Sequence, residues 1–178
     1  MVDNDLIRNK GIMSAAQTMW TIDFDSEQSL EIGKVLQNQK FTGKCWIYAG
    51  LNLLRILANR KNSRTSIILS ANYIAYYDKY EKSKYFFEKV IETMKLPSDN
   101  RLVEHLFKNP CPDAGQWAMF NNIIKKYGIV PQESMPDTYS ALDTNQMNIC
   151  LSTILRDSGC NIRKLNMKGA SLEQINSE

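Results

Sequence analysis

Histidine is all but absent from this sequence: His105 is the only one in 178 residues. The four cysteines, Cys45, Cys111, Cys150 and Cys160, show no C-x2–4-C spacing. With ligands so few and so scattered, neither a zinc site nor any other metal or cofactor is expected. No segment reaches the roughly eighteen uninterrupted apolar residues of a membrane span. The first ten residues also lack the apolar stretch of a secretory leader. Basic side chains are not massed either. The net charge is +3, and the densest basic run, Asn59 to Arg64, carries no aromatic residue. Nucleic acid is therefore not an indicated partner. Four free thiols in a reducing cytoplasm is the expected setting.

What is present reads as one ordinary globular domain: 43% of residues are hydrophobic and 23% charged, enough for a real core. Residues 1–44 read as mostly irregular, with a β-prone piece at Thr21 to Phe24 and a polar stretch at Asp25 to Ser29. From Cys45 to about Arg60, Trp46, Ala49, Leu53 and Leu57 recur at helical spacing, widened by Ile47 and Leu54. Gly50 inside that pattern implies close packing against a neighbour. Ser70 is expected to cap a helix reaching Lys95, carried by Tyr73, Tyr77, Tyr80, Phe87, Ile91 and Met94, with a break near Ser83. A short helix through Leu102, Val103, Leu106 and Phe107 should end before Pro110.

After the loop Pro110 to Gly115, the spacing of Trp117, Phe120, Ile124 and Tyr127 predicts a helix stopped by Gly128. Asp143 and Gln146 resemble a capping box for a helix through Leu151 and Leu155 to Gly159. Ile162 to Leu165 reads as a brief strand. Ser171 with Gln174 reads as one more helix start, which the sequence leaves barely two turns to extend. The chain is predominantly α.

The residues with chemistry lie at the first of these helix starts. Gln39-Lys40-Phe41-Thr42-Gly43-Lys44-Cys45-Trp46 runs from a glycine-containing loop straight into an apolar helix. A thiol there lies near unpaired backbone N–H groups and the positive end of the helix dipole, which favour an anion. The Gln39 carboxamide, six residues upstream, can fold back toward the same spot. Nucleophile and oxyanion donor are the front half of an acyl-transfer site. Singly, each feature is weak, since a cysteine beside a tryptophan on a helix is ordinarily core packing.

Their order is more telling. Gln39 with Cys45-Trp46 comes first, then Leu69-Ser70-x-Asn72-Tyr73 with Asp78-Lys79-x-Glu81-Lys82. Asp113-x-Gly115-Gln116-Trp117 follows, then Lys126-Tyr127-Gly128-Ile129-Val130-Pro131 and Met135-Pro136. This series resembles the papain superfamily, and more narrowly the intracellular branch of bleomycin hydrolase and bacterial aminopeptidase C. The resemblance runs from about Asn9 to the C-terminus.

It implies an α+β papain-like cysteine proteinase fold, of which residues 1–178 form mainly the helical, nucleophile-bearing part. Cys45 would be the nucleophile. Gln39 and the Cys45 N–H would be the oxyanion donors, and Trp46 would pack behind the thiol. Asp113, Ala114, Gly115 and Gln116 would line the cleft, where Gly115 offers bare backbone to an extended peptide. Peptides would be the substrates, aminopeptidase the activity, and a homo-oligomer, hexameric in relatives, the assembly.

Thr42 and Lys44 match the intracellular branch, where secreted members usually carry a cysteine and a serine. Ala114 departs from the first of the family's two glycines, and Ala118 from a common acidic residue. The family's catalytic histidine and its asparagine partner belong to a β-rich C-terminal part that these residues do not include. His105 shares a helix face with Arg101 and Lys108 and reads as a solvated surface residue, not a substitute base. The expectation is therefore a thiol peptidase portion that is inactive by itself. Alternatives of the same ancestry are a truncated non-catalytic product and a peptide-binding or oligomerisation module.

Overall fold

Six α-helices and two isolated β-bridges account for the regular structure of residues 37–61, 67–171 and 174, the residues described by the computed structural model. The expected elements at Thr21 to Ser29 lie outside them. Helix α1 spans Cys45–Lys61, α2 Ala71–Thr93, α3 Arg101–Lys108, α4 Trp117–Tyr127, α5 Tyr139–Leu142 and α6 Asn145–Met167.

α2 is the spine. One core cluster joins Ile47 and Leu51 of α1 to Ala71 and Ile74 of α2 and to Phe120 and Ile123 of α4. A second joins Phe86 and Val90 of α2 to Cys111 and Leu155, with Leu106 and Phe107 of α3 packed against it. Burying a side chain such as Phe86 contributes about 1.5–3 kcal/mol, so a helix that feeds both clusters fixes the others around itself.

The helix starts follow local chemistry. The Ser70 hydroxyl accepts from the Tyr73 N–H at 3.1 Å and donates to the Met135 carbonyl at 2.6 Å, capping α2 and anchoring a distant loop. Asn100 caps α3 through the Leu102 N–H. α4 stops at Gly128, where φ is 78°, a conformation that glycine adopts at no steric cost. At the expected helix start, Ser171 and Gln174 exchange reciprocal side-chain to backbone bonds, the pattern of a capping box.

The phases of the buried faces differ from those the spacing predicts. On α1 the core face is Ile47, Gly50, Leu51 and Arg55, while Ala49 is exposed and Leu53 is 44% exposed; the burial of Leu57 lies outside what is described. Apolar residues cover so much of this helix that periodicity cannot set its rotation. Gly50 does so instead, because the Phe120 ring sits 2.5 Å from where its β-carbon would be.

On α2 the buried apolar positions are Ala71, Ile74, Phe86 and Val90 rather than the tyrosines. Tyr73 and Tyr77 reach past the core to Tyr127, by a 2.8 Å hydrogen bond to its carbonyl and by ring stacking at 3.8 Å. No break occurs near Ser83, whose hydroxyl bonds the Lys79 carbonyl one turn back.

α6 is the largest correction. It neither stops at Gly159 nor gives way to a strand at Ile162 to Leu165; both lie inside one continuous helix. Gly159 is buried, and a β-carbon there would lie 3.0 Å from the rings of Phe86 and Phe107. The glycine is thus a contact surface, not a terminator. Past it, Arg163 grips the carbonyls of Thr93 and Leu96 at the end of α2. Asp143 accepts from the Asn145 N–H, so the expected box with Gln146 is replaced by a tighter turn, and Thr144 is the N-cap.

Candidate active site

Cys45 is the first residue of α1, with its thiol free and exposed. The Lys44 carbonyl accepts from Ile47 and Tyr48 at 2.9 and 3.0 Å, so Lys44 is the residue from which the helix springs. The N–H groups of the first turn have no carbonyl of their own helix to bond, which suits that end to an anion. The Lys44 side chain does not reach toward the thiol. It is buried, and its Nζ donates to the Ala141 carbonyl at 2.6 Å. Burial pushes its ammonium below the usual lysine range, against the opposing pull of Asp137 and Asp113.

The loop before Cys45 is tightly held. Thr42 is buried and its hydroxyl donates to the Gln39 carbonyl at 2.6 Å. Phe41 pairs its backbone with the α5–α6 junction, donating to Leu142 and accepting from Thr144. Lys40 has a φ of 55°, a left-handed conformation uncommon outside glycine, and its N–H is fixed by the Asn38 side chain at 2.8 Å. Gln39 is half-buried; its Oε1 is buried without a hydrogen-bond partner among the described residues.

Two glycines let a second loop lie against this one. A β-carbon on Gly43 would stand 2.6 Å from the Asp113 β-carbon, and one on Gly115 would overlap the Trp46 indole. The Trp46 Nε1–H donates to the Asp113 carbonyl at 3.0 Å. These contacts bring Trp46, next to Cys45, against Asp113 and Gly115 of the facing loop, while Gln39 stays in the loop that leads into α1, tied to Thr42. Ala114 and Gln116 complete that loop, both exposed, with Gln116 opening α4.

The Asp113 side chain does not face outward. Its carboxylate meets Lys79 at 2.6 Å and accepts from the Thr144 hydroxyl and the Asn148 amide, each at 2.8 Å. Burial pushes the carboxyl up, but the bonds from Lys79, Thr144 and Asn148 and the Lys79 charge outweigh it and hold it below the usual carboxylate range. Its offering to a ligand is therefore backbone. Lys79 and Lys82, one turn apart on α2, also hold the carbonyls of Cys111, Pro112 and Ala114.

Sequence reasoning singled out neither lysine individually, nor Thr144 or Asn148. The signal was faint: Asp78, Lys79, Glu81 and Lys82 crowd one part of a helix that otherwise carries many apolar and aromatic residues. His105 is exposed on α3 and lines a groove of about 550 Å³ with Lys82, Leu102, Leu106 and Met119, to which Cys45 does not contribute. No helix among the described residues is long and apolar enough to cross a membrane.

A thiol heading α1, a helix faced by a glycine-bearing loop, on a predominantly helical scaffold is the helical half of a papain-like cysteine peptidase fold. Comparison with known proteins agrees: the chain belongs to the Peptidase C1-like family, whose model matches residues 3–178. It is 40% identical to aminopeptidase C of Lactobacillus helveticus over 171 residues, 94% of this chain and 38% of that protein. It is 36% identical to bleomycin hydrolase of Rattus norvegicus over 147 residues, 82% of this chain and 32% of that protein. The crystal structure of PepW from Lactobacillus rhamnosis HN001 superposes with a TM-score of 0.77 at 34% identity, covering 97% of this chain and 39% of that one. The chain thus spans well under half the length of these relatives.

Proposed function

We propose that this chain is the nucleophile-bearing portion of a cytoplasmic cysteine aminopeptidase that hydrolyses peptide bonds through Cys45. The observation that carries the reading is the exposed thiol at the first position of α1, beside the Gln39 loop and the Asp113 to Gln116 loop. In the proposed step the Cys45 thiolate attacks the amide carbonyl, forming a sulfur–carbon bond. The carbonyl electron pair moves onto oxygen, where the Gln39 carboxamide N–H and the Cys45 backbone N–H receive it. Collapse of that intermediate expels the amine, which takes up a proton, and water then cleaves the thioester.

Proton delivery to the amine and activation of water need a general base. The sole histidine, His105, sits on α3 and lines a groove to which Cys45 does not contribute. Loss of the base in a comparable triad costs on the order of a millionfold in turnover, so these residues by themselves form at most a slow acyl acceptor. Family membership supports peptides as the proposed substrates and a homo-oligomer as the proposed assembly, and the free thiols at Cys45, Cys111, Cys150 and Cys160 suit a reducing compartment.

The test is hydrolysis of an aminoacyl-naphthylamide by the 178-residue chain. No turnover above background is expected. Turnover that disappears in Cys45→Ala would mean that the chain holds a complete site and that the base has been misjudged.

A further inference from the structure

Lys82 is a largely but not fully buried cation whose hydrogen-bonding capacity is spent. Its side chain is 11% exposed. Its Nζ donates to Asp78 Oδ2 at 2.6 Å, to the Pro112 carbonyl at 2.7 Å and to the Ala114 carbonyl at 2.8 Å. An ammonium has three N–H donors, and here each has an acceptor. The group also lies 5.7 Å from the centre of the Trp46 ring, within cation–π range. Asp78, 4% exposed, neutralises it from one turn back. Burial holds the Asp78 carboxyl above its usual range even against Lys82, so this pair is not there because it is a favourable place for charge.

The geometry of the two carbonyls says what the pair does. In a trans peptide the C=O and the following N–H point in opposite directions. Drawing the Ala114 carbonyl toward Lys82 therefore aims the Gly115 N–H away from Lys82, and drawing in the Pro112 carbonyl does the same for the Asp113 N–H. The next carbonyl, that of Asp113, is taken by the Trp46 indole. Three consecutive peptide planes beside the thiol are thus set by two side chains.

We propose that Lys82 is a positioning residue for peptide binding: it fixes the peptide plane that presents Gly115 to an extended substrate. The proposal rests on the reading of Asp113 to Gln116 as the cleft wall and of Cys45 as the nucleophile. Lys82 itself touches no reacting atom, having no free donor to offer.

The test compares two alkylating agents on the 178-residue chain by intact-mass kinetics. Iodoacetamide, a small reagent, needs only an accessible thiol. A dipeptidyl chloromethyl ketone also needs the wall. The variants are Lys82→Met and Asp78→Asn/Lys82→Met; the second removes the stranded carboxylate that the first leaves buried. In the double variant the ratio of peptidyl to iodoacetamide rates at Cys45 is expected to fall about tenfold or more, with the iodoacetamide rate and helical content unchanged. An unchanged ratio overturns the proposal. So does an equal fall in both rates, which would make Lys82 a support for the helix start alone. If the unmodified chain itself shows no preference for the peptidyl reagent at Cys45, the underlying cleft reading fails first, and the proposal with it.

Discussion

The Trp46 indole N–H donates to the Asp113 carbonyl at 3.0 Å, with the ring pressed against Gly115. This contact joins the residue after the thiol to the loop that faces it, across 67 positions of sequence. Head of helix and facing loop therefore move together, and a change on either side is felt at the other.

Gly115→Ala should destabilise the protein by about 1–3 kcal/mol, the usual cost of overpacking a well-filled contact. The added methyl would overlap the indole, so either the ring or the loop must shift. A urea midpoint equal to that of the parent protein would contradict this placement of Trp46.

Gly50→Ala pits two effects against each other. Alanine in a helix interior gains about 1 kcal/mol over glycine, but the new methyl would meet the buried Phe120 ring at 2.5 Å. Rings in a close-packed core yield little, so a net loss of about 1–2 kcal/mol is expected. Adding Phe120→Leu should make Gly50→Ala less harmful, measured as a double-mutant cycle in urea.

These contacts mark where the sequence could be read and where it could not. Helix ends were legible because their chemistry is local: Ser70 bonds a backbone N–H three residues on, and Gly128 supplies a φ of 78°. The head of α1 was legible for the same reason. Helix rotation was not, because α1 and α2 carry apolar residues on most sides and the choice falls to Gly50 and Gly159, where rings from other elements dock. Gly159 read as a stop only because its partners, Phe86 and Phe107, are distant in sequence. The lysines were least legible of all. Lys44, Lys79 and Lys82 look like surface charges until the carbonyls of Ala141, Cys111 and Ala114 are brought to them.

Asp113 should be visible in the acid limb of stability. Its folded carboxyl titrates below its ordinary value, so the unfolded chain binds the proton first. The stability it contributes is complete above the unfolded value of about 3.9 and is lost as pH falls through the lower folded value. Asp78, raised by burial, works in the opposite sense, so the two are separated by comparing variants. The gap in unfolding free energy between the parent and Asp113→Asn should be constant near neutrality and close below about pH 4. A gap of the same size at every pH would place the Asp113 contribution outside its charge.

The most direct measurement is the order in which the four thiols are alkylated in the folded chain near pH 7, followed by peptide mass mapping under limiting iodoacetamide. Cys111 is 2% exposed, with its thiol pushed up by burial, and should be modified last. Cys150 and Cys160 are exposed along the side of α6, and Cys45 alone of the three exposed thiols begins a helix. Cys45 reacting well ahead of both is the predicted result. Cys45 reacting no faster than Cys150 and Cys160, with helical content intact, would contradict a nucleophile at the head of α1.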